Sequence, residues 1–253
     1  MNNVANFKHP EFLVSVDWLL ENLEDPNLRI YDCTAHLIPH PTETYTIGSG
    51  KGDYEKAHIP GADFLDLQQE LSNNTSKLRF TFPSAEHFSK AIGAHGLSND
   101  NQAILYSTTS PQWATRIWWM LRAFGFDNAK VLDGGLIRWV QKGYPTSTIP
   151  STYTEQSFTA KPRPGLIIQK SEVLEGIHES NTCIINALSQ EQHIGVGGRT
   201  YGRPGRIKDS ENVPTTELID PETNEFYPAA VIAERFASVG TQSSDRVLTY
   251  CGG

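Results

Sequence analysis

The chain has 253 residues, of which 38% are hydrophobic, and its formal net charge is -8. The acidic balance argues against general binding to nucleic acid or to an anionic membrane surface, and no apolar run approaches the ~20 residues of a membrane span. The three cysteines form no CxxC pair, and no charged leader precedes an apolar core at the N-terminus. We therefore expect a protein of the reducing cytoplasm, without a disulfide framework or a structural zinc site.

Short apolar strands alternate with amphipathic helices along the chain. Ser15 is placed to cap a helix over residues 16–22, and 28–31 is a short strand; Pro83-Ser84 opens a helix that Gly96 ends. Further along, the sequence predicts a strand at 103–106, a helix at 113–124, a strand at 131–132, a helix at 136–143 and a strand at 247–250. This alternation predicts an α/β fold whose mostly parallel sheet is flanked by helices.

The second half of the chain repeats the first. The segment that starts at Phe12 resembles the one that starts at Leu166, 57–62 resembles 205–210, and 96–107 resembles 240–251. Three blocks in the same order indicate two copies of one domain with loops of different length. We assign residues 1–148 to an N-terminal domain, 149–165 to a proline-rich linker and 166–253 to a C-terminal domain.

Cys251 ends the last predicted strand and is followed by Gly252 and Gly253. Backbone N–H groups of glycines can converge on an anion, and such a loop lowers the pKa of a thiol. A buried strand cysteine is the alternative interpretation. In the first copy Ser107 matches Cys251, and two helices and a strand follow it. We therefore expect the second copy to continue beyond Gly253, or a partner to cover the apolar surface left exposed.

The combined motifs resemble those of the two-domain rhodanese-type sulfurtransferases. The motifs of the first copy are His58-Ile59-Pro60-Gly61-Ala62, residues 116–125 and Val131-Leu132-Asp133-Gly134-Gly135. Those of the second copy are residues 198–202, Gly205-Arg206-Ile207 and Tyr250-Cys251-Gly252-Gly253. The resemblance implies tandem rhodanese-like domains: a catalytically silent first one, with Ser107 at the cysteine position, and a catalytic second one that is incomplete within its active-site loop.

The resemblance also implies a chemistry and a set of residues. Cys251 would take a sulfane sulfur from thiosulfate or 3-mercaptopyruvate as a persulfide and pass it to cyanide or a thiol, without a metal or an organic cofactor. Arg199 matches a substrate-binding arginine of the family, and Arg203 and Arg206 are close to it in sequence. Guanidinium groups bind such anionic donors well, and a solvated surface loop is the alternative for all three arginines. The oligomeric state is left open.

Asp32 and the two terminal glycines complete the candidate site. Asp32 matches a catalytic aspartate of mercaptopyruvate sulfurtransferases, which would face the second domain across the cleft and relay a proton. Its alternative role is to cap the turn that follows the strand. Gly252 and Gly253 would bind substrate through the loop. They lack both the serine of mercaptopyruvate enzymes and the basic residues of thiosulfate enzymes, so the sulfur donor stays open.

Two other functions remain open at this point. A dual-specificity phosphatase of the cell cycle would use the same cysteine, on a loop one residue longer that ends in arginine. A non-catalytic rhodanese-like binding or regulatory module would need no complete loop. The silent first copy favours the sulfurtransferase over the phosphatase.

Overall fold

The computed structural model describes residues 6–40, 45–197, 200, 202–241 and 246–252. The strands in these ranges are β1 (Leu13–Val14), β2 (Leu28–Asp32), β3 (Ala35–Pro39), β4 (Tyr45–Ser49), β5 (Asp63–Phe64), β6 (Gln102–Tyr106), β7 (Ala129–Leu132), β8 (Thr182–Asn186), β9 (Glu211–Asn212) and β10 (Arg246–Tyr250). The α-helices are α1 (Val16–Glu21), α2 (Lys51–Tyr54), α3 (Ala85–Ala94), α4 (Gln112–Ala123), α5 (Gly135–Gln141), α6 (Lys170–Gly176), α7 (Gln190–Ile194) and α8 (Ala229–Ala237). Within the described ranges, no helix is both long and apolar enough to cross a membrane.

The helix starts follow from local capping chemistry. The hydroxyl of Ser15 accepts the N–H of Trp18 at 3.2 Å, and that of Ser84 accepts the N–H of His87 at 3.1 Å. Each serine thereby satisfies a backbone donor that the first helical turn leaves without a partner. The predicted starts of α1 and α3 are therefore confirmed.

Five strands of the N-terminal half form one parallel sheet with helices on both faces, and β3 and β4 form a separate antiparallel pair. The order of the five-stranded sheet is β1-β7-β6-β2-β5, and all its pairings are parallel. Along β6, Ala103 and Leu105 pack into one apolar cluster, whereas Ile104 and Tyr106 pack into the other. Successive side chains of a strand point to opposite faces, so a strand buried on both faces is apolar throughout. The predicted α/β class is confirmed.

The C-terminal half has a second parallel sheet of order β10-β8-β9, and its central pairing repeats that of the first sheet. The corresponding last register pairs are Asp32↔Tyr106 between β2 and β6, and Asn186↔Tyr250 between β8 and β10. The carbonyl of Tyr106 accepts the N–H of Cys33 at 2.8 Å, and that of Tyr250 accepts the N–H of Ala187 at 2.9 Å. The chain therefore leaves the two sheets at equivalent points, with Ser107 in one and Cys251 in the other.

The two sheets differ in how their central strands are covered. In the first sheet β6 lies between β7 and β2, whereas β10 lies at the edge of the second sheet. Three apolar side chains of the second half are exposed: Leu174 on α6 by 52%, Val231 on α8 by 45% and Val247 on β10 by 41%. Whether the second copy continues beyond Gly253, or a partner covers this surface, stays a prediction.

The segment predicted as a linker is extended but packs closely on the N-terminal half. The hydroxyl of Tyr153 donates to the carbonyl of Gly61 at 2.8 Å and accepts the N–H of Ile30 at 2.9 Å. Phe158 is buried in the apolar cluster around Phe88. Composition indicated the extended backbone of this segment but not its aromatic anchors.

A loop of the C-terminal half also contacts the N-terminal half. The N–H of Phe226 donates to the carboxylate of Asp133 at 2.8 Å, and the amide of Asn224 donates to the carbonyl of Thr109 at 2.7 Å. Burial raises the pKa of Asp133 to about 6, which the hydrogen bond from Phe226 opposes. These contacts join the loops at the carboxyl ends of β6 and β7 to the second half.

Candidate functional site

Cys251 is the exposed cysteine of the chain and directly follows β10. Cys33 is fully buried, and that burial raises its pKa well above the ordinary value; Cys183 is half-buried, with its sulfur 3.3 Å from the hydroxyl of Thr241. Loops at the carboxyl ends of parallel strands are where open α/β sheets bind ligands. Cys251 therefore has both the position and the accessibility that a nucleophile needs.

Ser107, at the equivalent point of the first sheet, is a contrasting case. It is 1% exposed, and its hydroxyl donates to the carbonyl of Ser110 at 2.6 Å. Its single proton is thus committed to the loop, and solvent does not reach it. The catalytic silence of this position stays a prediction.

The hydroxyl of Tyr250 ties the strand that precedes Cys251 to the segment that carries Arg206. It accepts the N–H of Ile207 at 3.0 Å and lies 2.9 Å from the hydroxyl of Ser210. Because the Ser210 hydroxyl donates to the carbonyl of Ile207 at 2.7 Å, the Tyr250 hydroxyl donates to Ser210. This network holds the Arg206 segment at the same end of the sheet as Cys251.

Arg206 is exposed, and its charge acts on a buried histidine. Burial is the main cause that lowers the pKa of His193, and the nearby guanidinium of Arg206 lowers it further. The Nδ1 atom of His193 lies 3.3 Å from the side-chain amide of Asn186 at the end of β8. Arg206 therefore adds positive charge at the carboxyl end of the second sheet.

Gly195 allows two loops of this region to approach closely. It ends α7 with a φ of 76°, in the left-handed region that favours glycine. A Cβ atom at this position would lie 3.0 Å from the backbone nitrogen of Gly205, next to Arg206. A side chain at this position would therefore press on the backbone of Gly205.

The remaining predicted residues of the loop are placed as follows. Gly252 is half-buried behind Cys251, and Arg203 is exposed near Arg206. Arg199 and Gly253 lie outside the described residues. The structure thus brings Cys251, Gly252 and Arg206 to one end of the second sheet. No group of three or more His, Cys, Asp or Glu side chains within the described ranges is placed to hold a metal ion.

Asp32 is fully buried at the end of β2. Its Oδ1 atom accepts the N–H of Thr34 at 2.9 Å and also the hydroxyl of Thr34. Burial raises the pKa of Asp32 to about 6, and the bonds from Thr34 oppose this rise. This geometry favours the turn cap, the alternative drawn from the sequence. A catalytic role for Asp32 stays a prediction.

Arg116 is a residue that the sequence analysis did not single out. It lies on α4 in the N-terminal half, and its Nη2 atom donates to the carbonyl of Phe80 at 2.9 Å. Burial lowers the pKa of Arg116, and an electrostatic interaction with Cys251 opposes this by raising it. A cation of the N-terminal half thus interacts with the cysteine of the C-terminal half. The sequence signal that could have identified Arg116 is an arginine in an apolar helix with no acidic residue one turn away.

Comparisons with known proteins agree with this geometry. A family model described as a rhodanese-like domain matches residues 15–142, about half of the chain. The chain is 32% identical to 3-mercaptopyruvate sulfurtransferase of Escherichia coli (strain K12), covering 95% of this chain and 84% of that protein. It is 30% identical to thiosulfate/3-mercaptopyruvate sulfurtransferase 2 of Arabidopsis thaliana, covering 99% of this chain and 78% of that protein.

A solved structure extends the similarity to the fold of both halves. The crystal structure of SseA from Escherichia coli, a 3-mercaptopyruvate sulfotransferase, superposes with a TM-score of 0.78 at 29% sequence identity. The match covers 94% of this chain and 87% of that one. The chain belongs to the rhodanese family of sulfurtransferases.

Proposed function

We propose that this protein moves a sulfane sulfur from thiosulfate or 3-mercaptopyruvate to cyanide or a thiol, through a persulfide on Cys251. One observation carries the proposal: Cys251 is exposed at the end of β10, at the point where the other sheet has the buried Ser107. Sulfur suits the task because a thiolate is both a good nucleophile and a fair leaving group. Residues 166–253 are proposed as the catalytic domain, joined by the linker at 149–165 to the silent domain of residues 1–148.

The proposed reaction has two halves. With thiosulfate, the Cys251 thiolate attacks the outer sulfur; a new S–S bond forms, the S–S bond of thiosulfate breaks, and sulfite leaves with the electron pair. With 3-mercaptopyruvate, a C–S bond breaks instead, and pyruvate leaves as its enolate and takes up a proton. Cyanide or a thiolate then attacks the outer sulfur of the persulfide, and Cys251 leaves as the thiolate.

Positive charge and backbone donors complete the proposed site. Both donors are anions, so we assign their binding to Arg199, Arg203 and Arg206. The network around Tyr250 supports this most directly for Arg206. The N–H groups of the loop at 252–253 would stabilise the anionic outer sulfur. The cytoplasm is the proposed compartment, because an exposed thiolate needs a reducing environment.

The test compares two cysteine variants of the full-length protein. Thiocyanate is measured with thiosulfate and cyanide, and pyruvate is measured with 3-mercaptopyruvate and a thiol. We expect Cys251→Ser to lower kcat by at least about a thousandfold, because the hydroxyl is a poor nucleophile and a poor leaving group. Cys183→Ser is the matched control and keeps its activity. Full turnover in Cys251→Ser refutes the assignment, and hydrolysis of a phosphate monoester by the wild type would favour the phosphatase instead.

A further inference from the structure

The loop at residues 107–111 follows β6, at the point where the second sheet has its exposed cysteine. Polar groups of the first half hold this loop closed. The hydroxyl of Ser107 donates to the carbonyl of Ser110 at 2.6 Å, and the N–H of Thr108 donates to the hydroxyl of Thr34 at 2.9 Å. The 107–111 loop therefore has a fixed conformation on which another segment of the chain can dock.

Residues 219–226 of the C-terminal half, which we call the docking loop, form a hairpin. Its ends pair through a bridge between Ile219 and Phe226, and the N–H of Asp220 donates to the carbonyl of Glu225 at 2.8 Å. The carboxylate of Asp220 also accepts two backbone N–H groups inside the loop, at 2.8 Å and 3.1 Å. These bonds within the docking loop fix the positions of its side chains.

Two residues of the docking loop bond to the first half at the carboxyl ends of β6 and β7. The side-chain amide of Asn224 donates to the carbonyl of Thr109 at 2.7 Å, and the N–H of Phe226 donates to the carboxylate of Asp133 at 2.8 Å. Asn224 is buried, and its φ of 61° lies in the left-handed region, which asparagine tolerates better than most residues. The ring of Phe226 packs against the apolar cluster of the first half. Asn224 thus has a defined place between the two halves.

Helix α5 of the first half holds the same loop. The Nε atom of Arg138 lies 3.3 Å from the carboxylate of Glu225, and the side-chain amide of Gln141 donates to the carbonyl of Glu222 at 2.6 Å. Gly134, which precedes α5, has a φ of 81°, and a Cβ atom at this position would lie 3.0 Å from the Cγ atom of Glu225. The docking loop is therefore bound to the first half at several points.

The docking loop is also connected to the strand ends beside Cys251. It closely follows Thr215, whose N–H donates to the carbonyl of Ala187, directly after β8, at 3.2 Å. The N–H of Ala187 in turn donates to the carbonyl of Tyr250 at 2.9 Å, and Tyr250 is the residue before Cys251. One hydrogen-bonded stretch of the chain therefore connects the carbonyl of Thr109 with the end of β10.

We infer that Asn224 is a positioning residue for Cys251, and that the 107–111 loop of the first half is the surface on which it docks. The inference rests on the proposed function, since it states what the half without the catalytic cysteine contributes to sulfur transfer. The bond to Thr109 fixes the docking loop, the docking loop supports the end of β8, and β8 supports the end of β10. Sulfur transfer depends on this support because a reacting group misplaced by about 1 Å loses much of its rate.

Amide hydrogen exchange in the full-length protein, followed by NMR, tests the docking independently of sulfur transfer. In the wild type we expect the N–H of Phe226 to exchange at least about a hundredfold more slowly than in an unstructured peptide, because it is bonded to the buried carboxylate of Asp133. In the same spectra the N–H of Thr215 reports on the connection to β8.

Two variants of Asn224 remove the bond to Thr109. Asn224→Asp keeps the size of the side chain but turns a carboxylate toward that carbonyl. We expect exchange at Phe226 and Thr215 to rise about tenfold, and kcat for sulfur transfer from thiosulfate to fall about tenfold with KM unchanged, because the arginines assigned to donor binding stay in place. Asn224→Gly keeps the left-handed backbone and removes the side chain, so it shifts both quantities in the same direction by a smaller factor.

Asn99→Asp is the matched control. The side-chain amide of Asn99 also donates to a backbone carbonyl, that of Thr159 at 3.1 Å, but it joins the first half to the linker segment. The same change of charge at this position should leave exchange at Phe226 and kcat unchanged.

Three results would overturn the inference. One is exchange at Phe226 in the wild type at the rate of an unstructured peptide, which needs no variant. Another is an unchanged kcat, or unchanged exchange at Phe226, in both variants of Asn224. The third is an equal fall in kcat for Asn224→Asp and Asn99→Asp. Failure of the proposed function is a separate result: the wild type would then show the expected exchange but would transfer no sulfur from either donor.

Discussion

The hydroxyl of Tyr250 connects β10, the strand that precedes Cys251, with the segment that carries Arg206. The substitution Tyr250→Phe removes that oxygen alone. Two hydrogen bonds are lost, with the N–H of Ile207 at 3.0 Å and with the hydroxyl of Ser210 at 2.9 Å. A neutral hydrogen bond contributes about 1 kcal/mol, and Ser210 keeps its bond to the carbonyl of Ile207. We expect the free energy of unfolding to fall by about 1–2 kcal/mol.

The same change is expected to weaken sulfur transfer because Arg206 is no longer held in place. Loss of about 1.4 kcal/mol of transition-state stabilisation corresponds to a tenfold fall in kcat/KM, which we expect mainly as a higher KM for the anionic donor. Urea unfolding measures the stability, and sulfur transfer from thiosulfate measures the activity.

The repeat provides a matched control. Tyr106 has the equivalent position, and its hydroxyl accepts the N–H of Ile59 at 3.2 Å. Tyr106→Phe should lose about 1 kcal/mol of stability while its kcat/KM is unchanged. An equal fall in kcat/KM for both variants would attribute the effect to stability, and an unchanged kcat/KM in Tyr250→Phe would refute the positioning of Arg206 by this network.

Two further predictions concern Asp32 and Gly195. Because burial raises the folded-state pKa of Asp32 to about 6, the stability it contributes is full below pH 3.8 and is lost as the pH rises through 6. Asp32→Asn should therefore raise the free energy of unfolding by about 1–3 kcal/mol near pH 7.5 and leave it unchanged near pH 4. The turnover of the same variant separates the two roles of Asp32: a turn cap predicts unchanged sulfur transfer, and a catalytic carboxylate predicts its loss. Gly195→Ala should lower both stability and kcat/KM, because its Cβ atom would lie 3.0 Å from the backbone nitrogen of Gly205. Gly143→Ala is the control: its φ is also positive, at 72°, but the space around it is open, so this variant should lose only about 1 kcal/mol of stability. Equal kcat/KM values for the two alanine variants would contradict a role for the Gly195 contact in the site.

Local signals were enough to predict the main helices and strands of the N-terminal half. The helix predicted at 16–22 is Val16–Glu21, and the one predicted at 113–124 is Gln112–Ala123. Serine caps, terminal glycines and apolar runs each involve only a few neighbouring residues, so they can be recognised in a single sequence. The antiparallel pair of β3 and β4 was missed because its side chains are mostly half-buried or exposed, which leaves no clear alternation.

The site could be predicted only as far as its residues are close in sequence. Cys251 stood out because a strand that runs into glycines is a local pattern. Arg116 could not be recognised from the sequence, because its interaction with Cys251 arises from the packing of two halves that are distant in sequence. The burial of Asp32 was also hidden, since an aspartate at a strand end looks the same whether it faces a cleft or its own turn.

The most direct test of the account is the intact mass of the full-length protein after incubation with thiosulfate or with 3-mercaptopyruvate, in the absence of an acceptor. The persulfide mechanism predicts the gain of one sulfur atom, located on Cys251 by peptide mapping and removed by cyanide. The donor that loads the sulfur faster is then the better substrate. A folded protein that gains no sulfur from either donor, or gains it on Cys33 or Cys183, would contradict the account.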